Sequence, residues 1–359
     1  MKGLIKVAKI VAINVAIFFV LFALFEGASN LLFVANQVRR TTGLPERFHS
    51  TYDSTVGWTS LPNVSLPNLY GPGIGLRTNG QAFRADREYT KEVPAGKTRI
   101  MCSGDSFTLG FGVSNEQTWC ARLGALDSRL ETVNLGQGGY GLDQAYLWYK
   151  RVGTPLDHQV QILAFITDDF RRMQTDRFLG YGKPVLAVRG DSVVLVTNPV
   201  PRTSRFKQWR ALQDHAIGNL SIVRLYRRLF RNDEEGPSPD SVAARDKATQ
   251  QVLSQVFADL ARINKAKNSQ LVLVYLPGQA DYKTDRLAAA WRRYIADEAA
   301  RLGVVYVDLI EEIRRDVPPT ELDDFYLEDS HYSPKGNEWV ANAIYKRLSP
   351  RLGLTPVAK

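Results

Sequence analysis

Read from its N-terminus, the chain opens on an almost unbroken apolar run from Ile10 to Phe25, broken only by Asn14 and preceded by Lys2, Lys6 and Lys9. The run alone is short for a bilayer, but the weaker continuation Gly27 to Ala35 brings it to the roughly 20 residues that a spanning helix needs. The pattern predicts a transmembrane signal anchor over residues 1–41. A cleaved signal peptide is the competing reading, because Gly27-Ala28-Ser29 offers small residues where a peptidase cuts. Glu26 and the renewed apolar stretch Leu31-Leu32-Phe33-Val34 favour the anchor. Basic residues stand on both flanks, with Arg39, Arg40 and Arg47 after the run, so charge does not fix the orientation. The adopted expectation is N-terminus in, with the rest of the chain outside the cytoplasmic membrane.

Residues 42–98 lack any helical or strand period and are rich in Pro, Gly, Asn and Tyr, with Gly57-Trp58 and Leu61-Pro62-Asn63 as punctuation. They read as irregular structure wrapped on a neighbouring domain. Beyond them, short apolar strands alternate with helical patterns: Arg99 to Cys102, Thr132 to Asn134, Gln161 to Phe165, Leu271 to Leu276 and Val304 to Val307. Parallel strands need crossover connections, so this alternation predicts an α/β domain over residues 99–350 with a parallel sheet covered on both faces. Glu116 to Leu126 and Pro334 to Leu348 read as two of its helices. An insertion at about 180–240 breaks the alternation. In it Val185 to Val188 and Val193 to Val196 flank Arg189-Gly190-Asp191-Ser192, a hairpin signal. Arg202 to Arg231 then carries eight Lys or Arg residues against the single acid Asp214, on a helical pattern with one apolar face. Asp233 to Asp240 reads as a mobile connection, and no internal repeat is visible.

Composition narrows the class without choosing a function. With 359 residues, 44% hydrophobic and 23% charged, the chain can bury a large core and is not of the disordered type. A net charge of +9 suits a polyanion, an anionic lipid surface or an acidic polymer equally well. Cys102 and Cys120 are the only cysteines, too few for a disulfide framework, and are expected to be buried free thiols.

The candidate chemistry begins at Gly104-Asp105-Ser106-Phe107-Thr108-Leu109-Gly110, between a predicted strand and a predicted helix. A serine at that turn of a parallel sheet faces the carboxyl edge, where backbone N–H groups stand ready for an oxyanion. A Gly-rich turn whose Asp and Ser merely cap a helix fits the same residues. A serine nucleophile needs a base, usually histidine, oriented by a carboxylate. Of the four histidines, His49 lies in the wrapping segment, His158 precedes a strand at the opposite edge, and His215 sits in the basic insertion. His331 stands in Glu328-Asp329-Ser330-His331-Tyr332-Ser333-Pro334-Lys335-Gly336, a loop after the last strand and before the last helix. Asp329, two residues earlier, can orient its ring from the same loop.

Together these segments resemble the SGNH hydrolases, also called the GDSL esterase family, over roughly Tyr52 to Leu348, with the specific part confined to four blocks. The first is Gly104-Asp105-Ser106, continuing through Gly110-Phe111-Gly112-Val113 to Thr118-Trp119. The second is Asn134-Leu135-Gly136-Gln137-Gly138-Gly139-Tyr140-Gly141, in which Gly139 matches the oxyanion-hole glycine. The fourth is Asp329 and His331. Arg77-Thr78-Asn79 and Phe83-Arg84 also look like the leading segment of membrane-anchored members. The third block departs from the pattern: Ile166-Thr167-Asp168-Asp169 places Asp168 where members carry an asparagine that donates to the oxyanion. An ionised carboxylate repels an oxyanion, so Asp168 is protonated, or the Ser106 and Gly139 N–H groups suffice, or activity is weak. Glu328 offers a second acid, three residues before the histidine.

The resemblance implies a three-layer α/β/α sandwich with a small, flavodoxin-like parallel sheet. It also implies a serine esterase with Ser106 as nucleophile, His331 as base and Asp329 as its orienting acid. No metal or other cofactor is implied, and no nucleic-acid partner. The expected substrate is an acylated small molecule or an O-acetylated cell-envelope or exported glycan, met by a single-pass, extracytoplasmic (periplasmic) enzyme. Two alternatives stand beside it: a polysaccharide O-acetyltransferase using the same triad, and a non-catalytic glycan-binding protein that keeps the fold.

Overall fold

The computed structural model describes residues 2–40, 49–178, 181–190, 192–202, 239–284 and 288–354, which fall into two compact units. The described part of the first is one helix, Lys2–Arg40. Within it Ile5–Ala28, 24 residues long, is long and apolar enough to cross a membrane. At 1.5 Å per residue it extends about 36 Å, against a hydrocarbon core of about 30 Å.

The second unit is built on five parallel strands in the order β13-β12-β7-β5-β6, where β5 is Thr98–Ser103, β6 Leu130–Asn134, β7 Val160–Phe165, β12 Gln270–Tyr275 and β13 Val305–Asp308. The strands read as continuous apolar runs because both faces are covered. Ile100, Cys102, Ile162, Ala164, Val272 and Val274 belong to the core that also holds Trp119, Leu123, Val340 and Ile344, from helices Trp119–Ala125 and Pro334–Leu348. The alternate positions Met101, Leu163, Phe165, Leu273 and Tyr275 are equally buried on the other face. There Phe170 and Trp291 stack at 4.2 Å, and Phe165 packs edge-on against both Tyr275 and Phe170. The architecture is the three-layer α/β/α arrangement that the alternation predicts.

The strand positions match the sequence expectation closely, and the hairpin of the insertion is β10 (Leu186–Arg189) paired with β11 (Ser192–Leu195). Two expectations are corrected. The wrapping segment is not wholly irregular: β1 (Ser50–Asp53) pairs with β2 (Gly57–Ser60), and β3 (Ser65–Gly71) with β4 (Ile74–Arg77), both antiparallel. All four residues of β2 are buried, so the strand lacks the alternation that would reveal it. The helix expected from Glu116 starts at Trp119 instead, because the Thr118 hydroxyl caps it by accepting the Ala121 N–H. Most of the basic stretch Arg202 to Arg231 and of the connection Asp233 to Asp240 lies outside the described residues; Pro239 begins the helix Pro239–Ala266.

Candidate active site

At the carboxyl end of β5 the chain turns through Gly104 into the four-residue helix Ser106–Leu109. A Cβ on Gly104 would lie 2.3 Å from Thr108 Oγ1 and 2.4 Å from the Ala164 carbonyl, so only glycine lets the turn pass this close to β7. Asp105 caps the helix by accepting the Phe107 N–H at 2.8 Å. The capping role is therefore real for the aspartate, whose Oδ2 also stands 3.5 Å from Ser106 Oγ, a long contact that leaves the serine side chain room for a second partner.

That side chain meets His331. Ser106 Oγ lies 2.9 Å from His331 Nε2, although the residues are 225 positions apart. The histidine loop is fixed from several sides. Leu327 N–H donates to the His331 carbonyl at 2.7 Å, and Ser330 closes the turn with φ +68°. The hydroxyls of Tyr326 and Tyr332 both donate to the Pro277 carbonyl beyond β12, at 2.9 and 2.8 Å. The imidazole also lies between the rings of Phe107, at 5.0 Å, and Phe111, at 4.6 Å. Two aromatic rings from the Ser106 segment thus pack against the His331 imidazole.

Asp329 Oδ1 accepts the His331 backbone N–H at 3.2 Å and lies 3.2 Å from Nδ1. The ring contact is close but does not form a hydrogen bond, so Nδ1 and the carboxylate stand as neighbours. Burial acts to raise the Asp329 carboxyl, but His331 holds it below its ordinary value. Glu328 is exposed and makes no hydrogen bond or ion pair among the described residues, so of the two acids it is Asp329 that lies against the His331 ring.

The loop after β6 supplies the donors. Asn134 Nδ2 donates to the Thr108 carbonyl at 2.8 Å while its Oδ1 accepts the Gly136 N–H at 2.9 Å, tying the loop to the nucleophile helix. Gly139 has φ +74°, and a Cβ there would lie 2.5 Å from Phe178 Cε1. Among the described residues, the backbone N–H groups of Ser106 and Gly139 have no acceptor. Asp168 is exposed on the first turn of helix Thr167–Met173 and pairs with Arg171 at 3.4 Å.

Sequence reasoning passed over several residues of this neighbourhood. Arg172 Nη1 bonds Asp105 Oδ2 at 3.0 Å, the Tyr140 carbonyl at 3.0 Å and Asp169 Oδ1 at 2.6 Å, so one guanidinium joins the loops after β5, β6 and β7. Burial, followed by the nearby Asp105 carboxylate, pushes the Asp169 carboxyl well above the usual range. Arg84, also buried, donates to the carbonyls of Leu109, Gly110, Val113 and Gly75, and to Asn115 Oδ1. The only early sign of it was the Phe83-Arg84 pair in a segment otherwise lacking pattern.

No protein-family model matches the chain, and no curated protein matches it. Among solved structures, it is similar to a member of the lipolytic protein G-D-S-L family from Veillonella parvula, with 12% identity over 69% of this chain and 97% of the other and a TM-score of 0.39. The lipase/acylhydrolase from Enterococcus faecalis matches with 14% identity over 73% and 100% of the two chains, TM-score 0.38. Axe2, an acetylxylan esterase from Geobacillus stearothermophilus, matches with 11% identity over 70% and 94%, TM-score 0.38.

Proposed function

We propose that the chain is a serine esterase that removes acyl groups, O-acetyl in particular, from a cell-envelope or exported glycan. The observation that carries the reading is the 2.9 Å contact between Ser106 Oγ and His331 Nε2, together with the Ser106 and Gly139 N–H groups, which have no acceptor among the described residues. His331 takes the proton as Ser106 Oγ bonds to the ester carbonyl carbon, and Asp329 balances the imidazolium. The Ser106 and Gly139 N–H groups donate to the carbonyl oxygen as negative charge forms on it. Collapse breaks the bond to the alkoxy group, which leaves with the proton from His331. Water then attacks the acyl-serine by the same route in reverse, releasing the carboxylic acid.

The helix Ile5–Ala28 is long and apolar enough to anchor the protein in a membrane, and with the N-terminus inside the catalytic unit would meet envelope glycans on the outer side. Fluorophosphonate labelling of the full-length protein in detergent tests the enzymatic reading. Label on wild type, lost in Ser106→Ala, is the expected result, with acetate released from an acetylated glycan. Absence of label on folded protein would overturn the reading. Acetate appearing on an added sugar hydroxyl rather than in water would turn it toward transfer.

A further inference from the structure

The most telling contact of the wrapping segment is made by Trp58. Its indole Nε1–H donates to the Gly138 carbonyl at 2.8 Å, across 80 residues of sequence. Gly138 C=O and Gly139 N–H belong to one peptide unit, and in a trans peptide the two bonds point in opposite directions. Directing the carbonyl at the indole therefore directs the Gly139 N–H away from it, and that N–H has no acceptor among the described residues.

The indole is itself held firmly. Trp58 is 2% exposed, stacked on Phe178 at 6.0 Å and packed edge-on against Tyr140 at 5.7 Å and Tyr181 at 6.3 Å. The Tyr140 hydroxyl donates back to the Trp58 carbonyl. Two residues on, Ser60 N–H and Oγ–H both donate to Gln137 Oε1, at 2.9 and 3.0 Å, so β2 grips the loop on both sides of Gly138. Phe178, on which the indole stacks, is also the ring that closes over the Gly139 α-carbon.

On the esterase reading above, we infer that Trp58 is a positioning residue for the oxyanion hole. It acts through the Gly138–Gly139 peptide in two ways. It fixes the plane of that peptide, which a glycine pair would otherwise leave free to rotate. It also polarises the amide, since a hydrogen bond received at C=O strengthens the one given by N–H in the same chain of dipoles. A segment outside the sheet thereby sets the strength of a donor at its carboxyl edge, and the effect falls on the transition state rather than on the bound ester.

The experiment is Trp58→Phe in the full-length protein, which keeps an aromatic ring and removes the donor. With a simple acetyl ester, kcat is expected to fall about tenfold with KM within about twofold. Inhibition by a trifluoromethyl ketone, whose serine adduct carries an oxyanion, is expected to weaken by the same factor as kcat. If Trp58→Phe does not fold, benzothienylalanine at position 58 replaces the N–H by sulfur in the same ring shape and gives the same readout. A folded variant with unchanged kcat, or one in which only KM moves, overturns the inference while leaving the esterase reading intact. Wild type that neither takes the fluorophosphonate label nor turns over the ester overturns both.

Discussion

His331 sees its two neighbours unequally: Nε2 lies at hydrogen-bond distance from Ser106 Oγ, 2.9 Å, whereas Nδ1 lies 3.2 Å from Asp329 Oδ1 without a hydrogen bond, and that carboxylate is 48% exposed. Removing the charge of a buried, well-aligned triad aspartate costs about 10⁴ in turnover. Asp329 is half in water, where its hold on the ring is weaker. The expected loss for Asp329→Asn is therefore smaller, about a hundredfold in kcat. Glu328→Gln should leave kcat within about twofold, since Glu328 touches neither ring nitrogen. Steady-state kinetics of the two variants decides the matter, and a larger loss in Glu328→Gln would move the acid by one residue.

Two histidines away from the site, His158 buried and His49 half-buried, are expected to give the fold an acid-sensitive window. Burial, with Arg84 nearby, lowers His49 from 6.5 to about 4, and burial lowers His158 as well. Between those values the unfolded chain binds a proton at His49 that the folded chain refuses. The contribution of His49 is thus fully present above pH 6.5, is lost as pH falls towards 4, and amounts to at most about 3 kcal/mol. His49→Gln should flatten the pH dependence of urea unfolding over this window by that amount relative to wild type. Parallel curves for the two proteins would show that His49 titrates alike folded and unfolded.

What the sequence made legible was local or periodic. The five strands announce themselves as apolar runs, and the helix Pro334–Leu348 by Ser333, whose hydroxyl accepts the Gly336 N–H, followed by proline at its first position. Ser106, His331 and Asp329 were found because each lies in a short segment of distinctive composition at a predictable place on the sheet. Trp58, Arg84 and Arg172 were not, because their roles rest on contacts across 80, 25 to 29, and 32 to 67 residues, with backbone carbonyls among the partners. A carbonyl acceptor leaves no trace in residue identity, so no pairing rule could have found Trp58 or the carbonyl contacts of Arg84; for Arg172 only its i,i+3 pair with Asp169 was open to one.

Arg84 offers the sharpest stability test of that hidden layer. Its guanidinium satisfies carbonyls at the end of the Ser106–Leu109 helix and in the following loop, whose Phe111 lies against His331. Arg84→Met leaves several buried acceptors without a donor, each costing about 1–3 kcal/mol, so a loss of about 3 kcal/mol or more in unfolding free energy is expected. Arg84→Lys should recover little, because one ammonium cannot replace a planar fork that reaches five acceptors. Chemical denaturation measures both. A full rescue by lysine would mean that charge, not the fork, is what the site requires.

The last prediction concerns Asp168, at the position where the resembling family carries an asparagine. In this fold the side chain is exposed, 52% by area, and Arg171 draws it into a 3.4 Å pair at the protein surface. Such pairs are worth at most about 1 kcal/mol, so this one does little to keep the carboxylate from turning towards the carboxyl edge. There it would oppose an oxyanion, while an amide of the same shape would donate to it. A well-placed donor is worth about 3 kcal/mol in acyl transfer, or on the order of a hundredfold, and an exposed one less. Asp168→Asn is therefore expected to raise kcat on a simple acetyl ester about tenfold at neutral pH, with little change in stability. Asp168→Ala separates the two causes. It removes the repulsion without adding a donor, so a gain equal to that of asparagine assigns the whole effect to charge. If both variants lose activity across the pH range while still folded, the carboxylate itself serves the reaction, and only the Ser106 and Gly139 N–H groups remain as the oxyanion donors of this chain.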